Sequence, residues 1–137
     1  MFTLPPEPAM PLLRAFIVED SPVIRENLIS TLEELAPISV VGWADNEPDA
    51  LHWLADHGEG CELAVVDLFL RSGSGTGILR ALKDSPAAPE RVVLTNYATP
   101  DIVRRCRELG AVRVFDKSRD IDALIEHCQA LHAAVAR

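Results

Sequence analysis

Four short apolar runs, each stopping at a side chain that can do chemistry, constrain this chain more than any other feature. They read Ala15-Phe16-Ile17-Val18 before Glu19-Asp20, Leu63-Ala64-Val65-Val66 before Asp67, Val92-Val93-Leu94 before Thr95, and Val112-Arg113-Val114-Phe115 before Asp116-Lys117. Runs this short and this rich in Val and Ile suit strands covered on both faces, as in a parallel sheet between helices. In open parallel sheets the ligand crevice lies outside the carboxyl ends of the strands. Such a sheet would gather two acids, a third acid, a hydroxyl and an ammonium along one edge.

The intervening segments read as helices, so the chain alternates strand and helix five times. The first strand is expected at about Leu13–Val18, followed by Ser21-Pro22 as a helix start and Ile24, Leu28, Leu32 and Leu35 at helical spacing up to Pro37. A second strand is expected at about Ile38–Ala44. The next helix runs roughly Glu47–Asp56, with Ala50, Leu51, Trp53 and Leu54 inward and Gly58 as its stop. Ile78, Leu79 and Leu82 mark a third helix. Pro100 opens a fourth, with Ile102, Val103, Cys106 and Leu109, closed by Gly110. The last runs about Ile121–Ala136, with Leu124, Ile125, Cys128 and Leu131 on one side. Short right-handed crossovers leave few topologies. The expected fold is α/β: a flavodoxin-like, doubly wound, five-stranded parallel sheet of order 2-1-3-4-5 with five helices. That order puts the ends of strands 1 and 3 side by side, so Glu19, Asp20 and Asp67 would share one pocket.

With 137 residues, 48% of them hydrophobic, the chain fits one domain with a single core. Pro5, Pro6, Pro8 and Pro11 block helix and ladder bonding, so residues 1–11 read as an extended, mobile leader and residues 12–137 as the folded domain. A net charge of −8 argues against direct nucleic-acid binding, which needs a basic face. No stretch approaches the ~20 apolar residues of a membrane span, and no signal peptide is evident. Cys61, Cys106 and Cys128 are odd in number and show no metal-ligand spacing, which fits reduced thiols in a cytoplasmic protein.

Three carboxylates a few ångströms apart repel by about 4 kcal/mol per pair at ~4 Å and an effective dielectric near 20. A hard divalent cation with oxygen ligands offsets this, and Mg²⁺ suits a site that keeps waters and later meets phosphoryl oxygens. Lys117 adds a fixed ammonium. Asp67 then becomes the candidate nucleophile, since a carboxylate can attack phosphorus and form an aspartyl phosphate. Thr95 could hydrogen-bond a transferring oxygen.

The pieces Phe16-Ile17-Val18-Glu19-Asp20-Ser21, Val65-Val66-Asp67-Leu68, Leu94-Thr95 and Phe115-Asp116-Lys117-Ser118, in this order and spacing, resemble the receiver domain of two-component response regulators. The resemblance runs from about Leu13 to the carboxyl terminus. It implies a phosphorelay signalling function with Asp67 as the phosphoacceptor. It also implies Mg²⁺ held directly by Asp20 and Asp67, through water by Glu19, and by the backbone carbonyl of Phe69, with Thr95 and Lys117 sensing the phosphoryl group. The implied donor is a histidine kinase or phosphotransfer protein. The implied output is a downstream protein target or a homodimer through the helix 4–strand 5–helix 5 surface, where Arg104, Arg105 and Arg107 offer a charged patch. Self-phosphorylation and autodephosphorylation would be the only chemistry, without turnover of a separate small molecule. Either a stand-alone receiver or the amino-terminal piece of a longer regulator is expected.

The sequence departs from the receiver pattern at three places. Ser118 replaces the proline that usually follows the lysine. Val114 stands where a switch Tyr or Phe is usual, and Phe115, one step along, should point to the opposite face. Phe69 and Tyr97 flank the acceptor site, and two rings there would limit water access and lengthen the phosphoryl lifetime. Val114 motivates the alternative of an interaction module with a degenerate switch that does not depend on phosphorylation. A haloacid-dehalogenase-like hydrolase would carry a second Asp where Phe69 stands. The Gly73-Ser74-Gly75 loop lacks a nucleotide-binding frame. His52, His57, His127 and His132 adjoin no ligand pattern, and Trp43 and Trp53 are expected to fill core or interface space.

Overall fold

The computed structural model describes residues 11–135. The chain runs β1 (Leu13–Val18), α1 (Pro22–Leu35), β2 (Ile38–Ala44), α2 (Glu47–His57), a 3₁₀ turn (Gly58–Gly60), β3 (Leu63–Val66), α3 (Gly75–Leu82), β4 (Glu90–Thr95), α4 (Pro100–Glu108), β5 (Arg113–Asp116) and α5 (Ile121–Val135). The five strands form one parallel sheet of order β2-β1-β3-β4-β5. This is the flavodoxin-like, doubly wound architecture expected from the sequence. The leader, apart from Pro11, and the carboxyl-terminal Ala136 lie outside the described residues.

Strand alternation divides the core between the two faces of the sheet. Ala15 and Ile17 face α1 and α5, in a cluster with Leu28, Leu32, Leu124, Ile125, Cys128 and Phe115. Phe16 and Val18 face α2 and α3, with Ala50, Leu54 and Ile78. Leu79, Val93 and Cys106 extend that second layer under α4. Phe16 and Phe115 are essentially inaccessible to solvent, and each such ring contributes about 2–3 kcal/mol by burial.

Short polar residues start the helices at the sheet's carboxyl edge. Ser21 accepts from the Ile24 amide, Asn46 from Asp49, Ser74 from Gly77 and Thr99 from Ile102. Pro22, Pro48 and Pro100 occupy first-turn positions where no amide is needed. Gly110 ends α4 with φ +99°, a conformation a side chain would strain.

Several local expectations shift. Gly58 stops α2 as expected, but in a right-handed conformation (φ −61°) that leads into the 3₁₀ turn. Ile24 and Leu35 keep the helical spacing but are exposed, because α1 buries the stripe through Leu28 and Leu32. The two tryptophans part company. Trp53 stacks on Phe16 at 4.2 Å and 7° and covers Gly42, where a β-carbon would collide with its ring. Val41 is unpaired in a register shift between β1 and β2, which brings Gly42 opposite Phe16. Trp43 is half exposed, outside the core, and lies under the Arg25 guanidinium at 3.7 Å.

All three cysteines are free and buried. Burial pushes the Cys61 thiol up to about 11 and Cys128 up to about 12, and raises Cys106 as well. Native protein at pH 8 should therefore react with a disulfide thiol reagent at a rate set by unfolding, and denatured protein at once at all three thiols. Fast labelling of native protein would contradict the burial.

No helix among the described residues is long and apolar enough to cross a membrane.

Candidate functional site

The site forms where the strand order reverses, between the carboxyl ends of β1 and β3. Val18 pairs with Val66, so the next residues along each strand, Glu19 and Asp67, emerge side by side. The Asp67 amide donates to Val18 O at 3.0 Å and the Glu19 amide to Ala44 O at 3.0 Å, which fixes both turns to the sheet. The buried Arg25 guanidinium donates to Glu19 O at 3.0 Å, and Glu19 in turn accepts the Ser21 amide at 3.2 Å.

Glu19, Asp20 and Asp67 each present a carboxylate oxygen, and the three oxygens lie within 4.8 Å of one another. Glu19 and Asp67 are buried (2% and 7% exposed), so their charges meet little water. Lys117 reaches in from the loop after β5. Its Nζ donates to Asp67 Oδ2 at 2.8 Å and to Glu19 Oε1. Burial alone would lower the Lys117 pKa, but the hydrogen bonds and charges of Asp67 and Glu19 together hold it above the ordinary lysine value. Three carboxylates against one ammonium leave two negative charges in a half-enclosed pocket. An all-oxygen donor set with that charge fits a hard divalent cation such as Mg²⁺ and not a soft metal. Arg71 lies at the mouth, 4.0 Å from Asp20 and mostly exposed.

Thr95 ends β4 fully buried, and its Oγ1 accepts the Tyr97 amide at 3.3 Å. Its carbonyl accepts the Lys117 amide at 2.9 Å, which ties the starts of the threonine and lysine loops together. The Phe69 amide donates to Asp67 Oδ1 at 3.3 Å, which keeps the backbone of Phe69 beside the carboxylate. Phe69 and Tyr97 touch edge to face at 5.0 Å, and both are more than half exposed. They form a two-ring rim over the ends of β3 and β4.

After β5, the Asp116 carboxylate accepts the Ser118 amide at 2.8 Å and its hydroxyl at 2.5 Å. These bonds from Ser118 hold the Asp116 pKa below the usual carboxylate range. Ser118 thus closes the turn that aims Lys117, at the position where the receiver pattern has proline. Phe115 packs toward α5, edge-on to His127, and Val114 packs on the opposite face with Ile102 and Cys106. The ring does not replace the missing aromatic at position 114.

Glu19, Asp20, Asp67, Phe69, Thr95 and Lys117, the candidate site residues from the sequence, all lie at this edge, whereas Arg104, Arg105 and Arg107 lie along α4. Sequence reasoning missed Arg25, Arg71 and Glu47. Arg25 and Arg71 carry no pattern that separates them from surface charges. Glu47 left one trace, the helix-interior Gly77 beside which its carboxylate packs.

The family model described as response regulator receiver domain matches residues 15–129. The chain is 31% identical over 106 residues to protein-glutamate methylesterase/protein-glutamine glutaminase 5 of Myxococcus xanthus (strain DK1622), a match covering 77% of this chain and 30% of that protein. It is 25% identical over 101 residues to transcriptional regulatory protein MalR of Bacillus subtilis (strain 168), covering 74% of this chain and 42% of the relative. The chain thus spans less than half the length of either relative. Among solved structures, a LuxR-family two-component response regulator from Aurantimonas sp. SI85-9A1 superposes with TM-score 0.80 at 23% identity, covering 90% of this chain and 86% of that one. A response regulator protein from Burkholderia pseudomallei, solved with a phosphorylated aspartic acid, calcium ion and citrate, superposes with TM-score 0.72 at 22% identity, covering 90% and 70%. At these identities the structures speak to the fold, and the match of the family model over most of the chain places it: the chain belongs to the response regulator receiver domain family.

Proposed function

We propose that the chain is a phosphoacceptor receiver in which Asp67 takes a phosphoryl group from a histidine kinase or phosphotransfer protein and the domain then changes its affinity for a protein partner. The observation that carries this reading is the convergence of the Glu19, Asp20 and Asp67 oxygens within 4.8 Å, with Lys117 Nζ 2.8 Å from Asp67. Asp20 and Asp67 would hold Mg²⁺ directly, with the Phe69 carbonyl, and Glu19 through water. Bound there, the ion neutralises charge on the acceptor and on the transferring oxygens.

The chain's own residues do the rest. An Asp67 oxygen forms the bond to phosphorus while the donor's P–N bond breaks, and the electron pair leaves with the donor imidazole, which takes a proton. Lys117 meets the charge on one phosphoryl oxygen, and Thr95 can turn its hydroxyl toward another. Incubation with acetyl phosphate and Mg²⁺, followed by intact-mass measurement, tests the reading. One added phosphoryl group supports it, and none overturns it. The constitutive interaction module is the weaker reading, because holding a protein partner does not call for three carboxylate oxygens gathered within 4.8 Å of one another. A cytoplasmic location belongs with this function, since the donor chemistry of two-component kinases is cytoplasmic.

Phe69 and Tyr97 bear on the return step. On this reading the paired rings would stand between solvent and an acyl phosphate on Asp67 and slow the approach of water. If screening by the rings raises the hydrolysis barrier by about 1 kcal/mol, Phe69→Ala should shorten the phosphoryl lifetime roughly fivefold. A time course of mass loss after donor removal checks this, and an unchanged lifetime would show that the rings do not gate water.

A further inference from the structure

Glycine is the poorest ordinary residue inside a helix, yet Gly75 and Gly77 both sit in the first turn of α3, and Gly73 precedes it in the left-handed region at φ +79°. One side chain accounts for two of them. A β-carbon built on Gly77 would overlap all three terminal atoms of the Glu47 carboxylate group, and one on Gly73 would overlap the same side chain. Glu47 is the first residue of α2, and its carboxylate lies in the groove between those glycines. Oε1 accepts the Ser74 amide at 2.8 Å, and the Glu47 amide donates to Ser72 O at 3.0 Å. One residue therefore grips the chain on both sides of Gly73, in the arm of the turn that enters α3.

The other end of that turn is tied to the pocket. Phe69 and Ser74 form an antiparallel bridge, and the Gly75 amide donates to Leu68 O at 3.0 Å. Gly75 packs so closely on the Asp67 carbonyl and Leu68 Cα that no side chain would fit. A stiff path thus runs from Glu47 through Ser74 to Phe69, whose amide donates to Asp67. Without Glu47 the turn would have to be ordered when a cation arrives, and binding would weaken by the cost of that ordering.

We infer that Glu47 is a positioning residue: caged by Gly73 and Gly77, it pre-orders the turn that carries Phe69 and so sets the affinity of the pocket for a divalent cation. This inference rests on the reading of the pocket as a Mg²⁺ site. Nothing in the reaction requires Glu47 to touch the ion or the phosphoryl group.

The test is Mg²⁺ titration calorimetry on the full chain and on Glu47→Ala, Glu47→Gln and Gly77→Ala, with amide hydrogen exchange at Ser74. Gly77→Ala leaves Glu47 in the sequence, evicts its carboxylate from the groove and improves helix propensity, so folding is preserved. Glu47→Ala and Gly77→Ala should each weaken Mg²⁺ about tenfold, the low end for loss of a ligand-orienting partner, and speed Ser74 exchange. Glu47→Gln keeps an acceptor for the Ser74 amide and should stay within about threefold of wild type. If wild type binds Mg²⁺ and Glu47→Ala and Gly77→Ala bind it as tightly, the positioning role is refuted while the phosphoacceptor reading stands. If wild type itself binds no Mg²⁺, the phosphoacceptor reading fails, and the positioning role with it.

Discussion

Asp67→Asn is expected to take up no phosphoryl group from acetyl phosphate and Mg²⁺ under conditions in which the wild-type chain gains one. The substitution keeps the shape of the side chain and one of its oxygens. It removes the negative charge that makes that oxygen a nucleophile and a cation ligand. Because the nucleophile is the group on which the other site residues act, its loss should lower the rate by at least about a thousandfold. Folding should survive: an amide oxygen still accepts from the Phe69 amide, and Lys117 keeps its contact with Glu19. Circular dichroism separates a dead site from an unfolded chain. Peptide mapping of the wild-type adduct adds a second check, since Asp20 and Glu19 are the only other carboxylates in the cluster. Uptake at a comparable rate by Asp67→Asn, or an adduct mapped to Glu19 or Asp20, would sink the assignment of the acceptor.

The sheet and the acid pocket were legible because each depends on residue type at a fixed place along a strand. The run Leu63–Val66 suits a doubly covered strand between turn signals, and the residue after such a strand faces the crevice. The position of Val114 opposite in sense to Phe115 followed from the two-residue period of a strand, and the two are indeed in different layers. What escaped the sequence depended on contacts between segments distant along the chain. Trp43 and Trp53 are similar in kind, but only the register shift at Val41 decides that Trp53 reaches Phe16 while Trp43 stays outside under Arg25. Glu47 opens α2 with the composition of any acidic first turn, and its partner Ser74 lies 27 residues away. Gly58 ends α2 where the sequence placed the stop, but it stays right-handed and leads into a 3₁₀ turn, a choice of local conformation that the residue type alone does not fix.

Lys117→Met offers the sharpest separation of what holds the pocket together from what drives its chemistry. Methionine keeps most of the apolar stem and deletes the ammonium. Glu19 and Asp67, both buried, would then face each other and Asp20 without a cation. Breaking a buried ion pair by removing one partner costs about 3–5 kcal/mol. For a domain of this size that lowers the melting temperature by roughly 10–18 °C in metal-free buffer. The sign of the pH dependence follows from the raised Lys117 pKa. Its contribution is complete below the unfolded lysine value of about 10.4 and is lost as pH rises through the higher folded value. The wild-type advantage should therefore be flat across neutral pH and vanish in strong alkali. Millimolar Mg²⁺ should restore much of the lost stability, because an ion that binds only the folded state shifts the equilibrium by mass action and no longer competes with an ammonium for the same oxygens. Phosphoryl uptake should stay about 100-fold to 1,000-fold slow even when Mg²⁺ saturates the variant, since no side chain then meets the developing charge from that side. A second substitution, Glu19→Gln in the Lys117→Met background, removes the stranded charge and should recover stability without recovering rate. If Lys117→Met melted like wild type in the absence of Mg²⁺, the ammonium would not be what lets three acids share this edge of the sheet, and the electrostatic account of the pocket would fail with it.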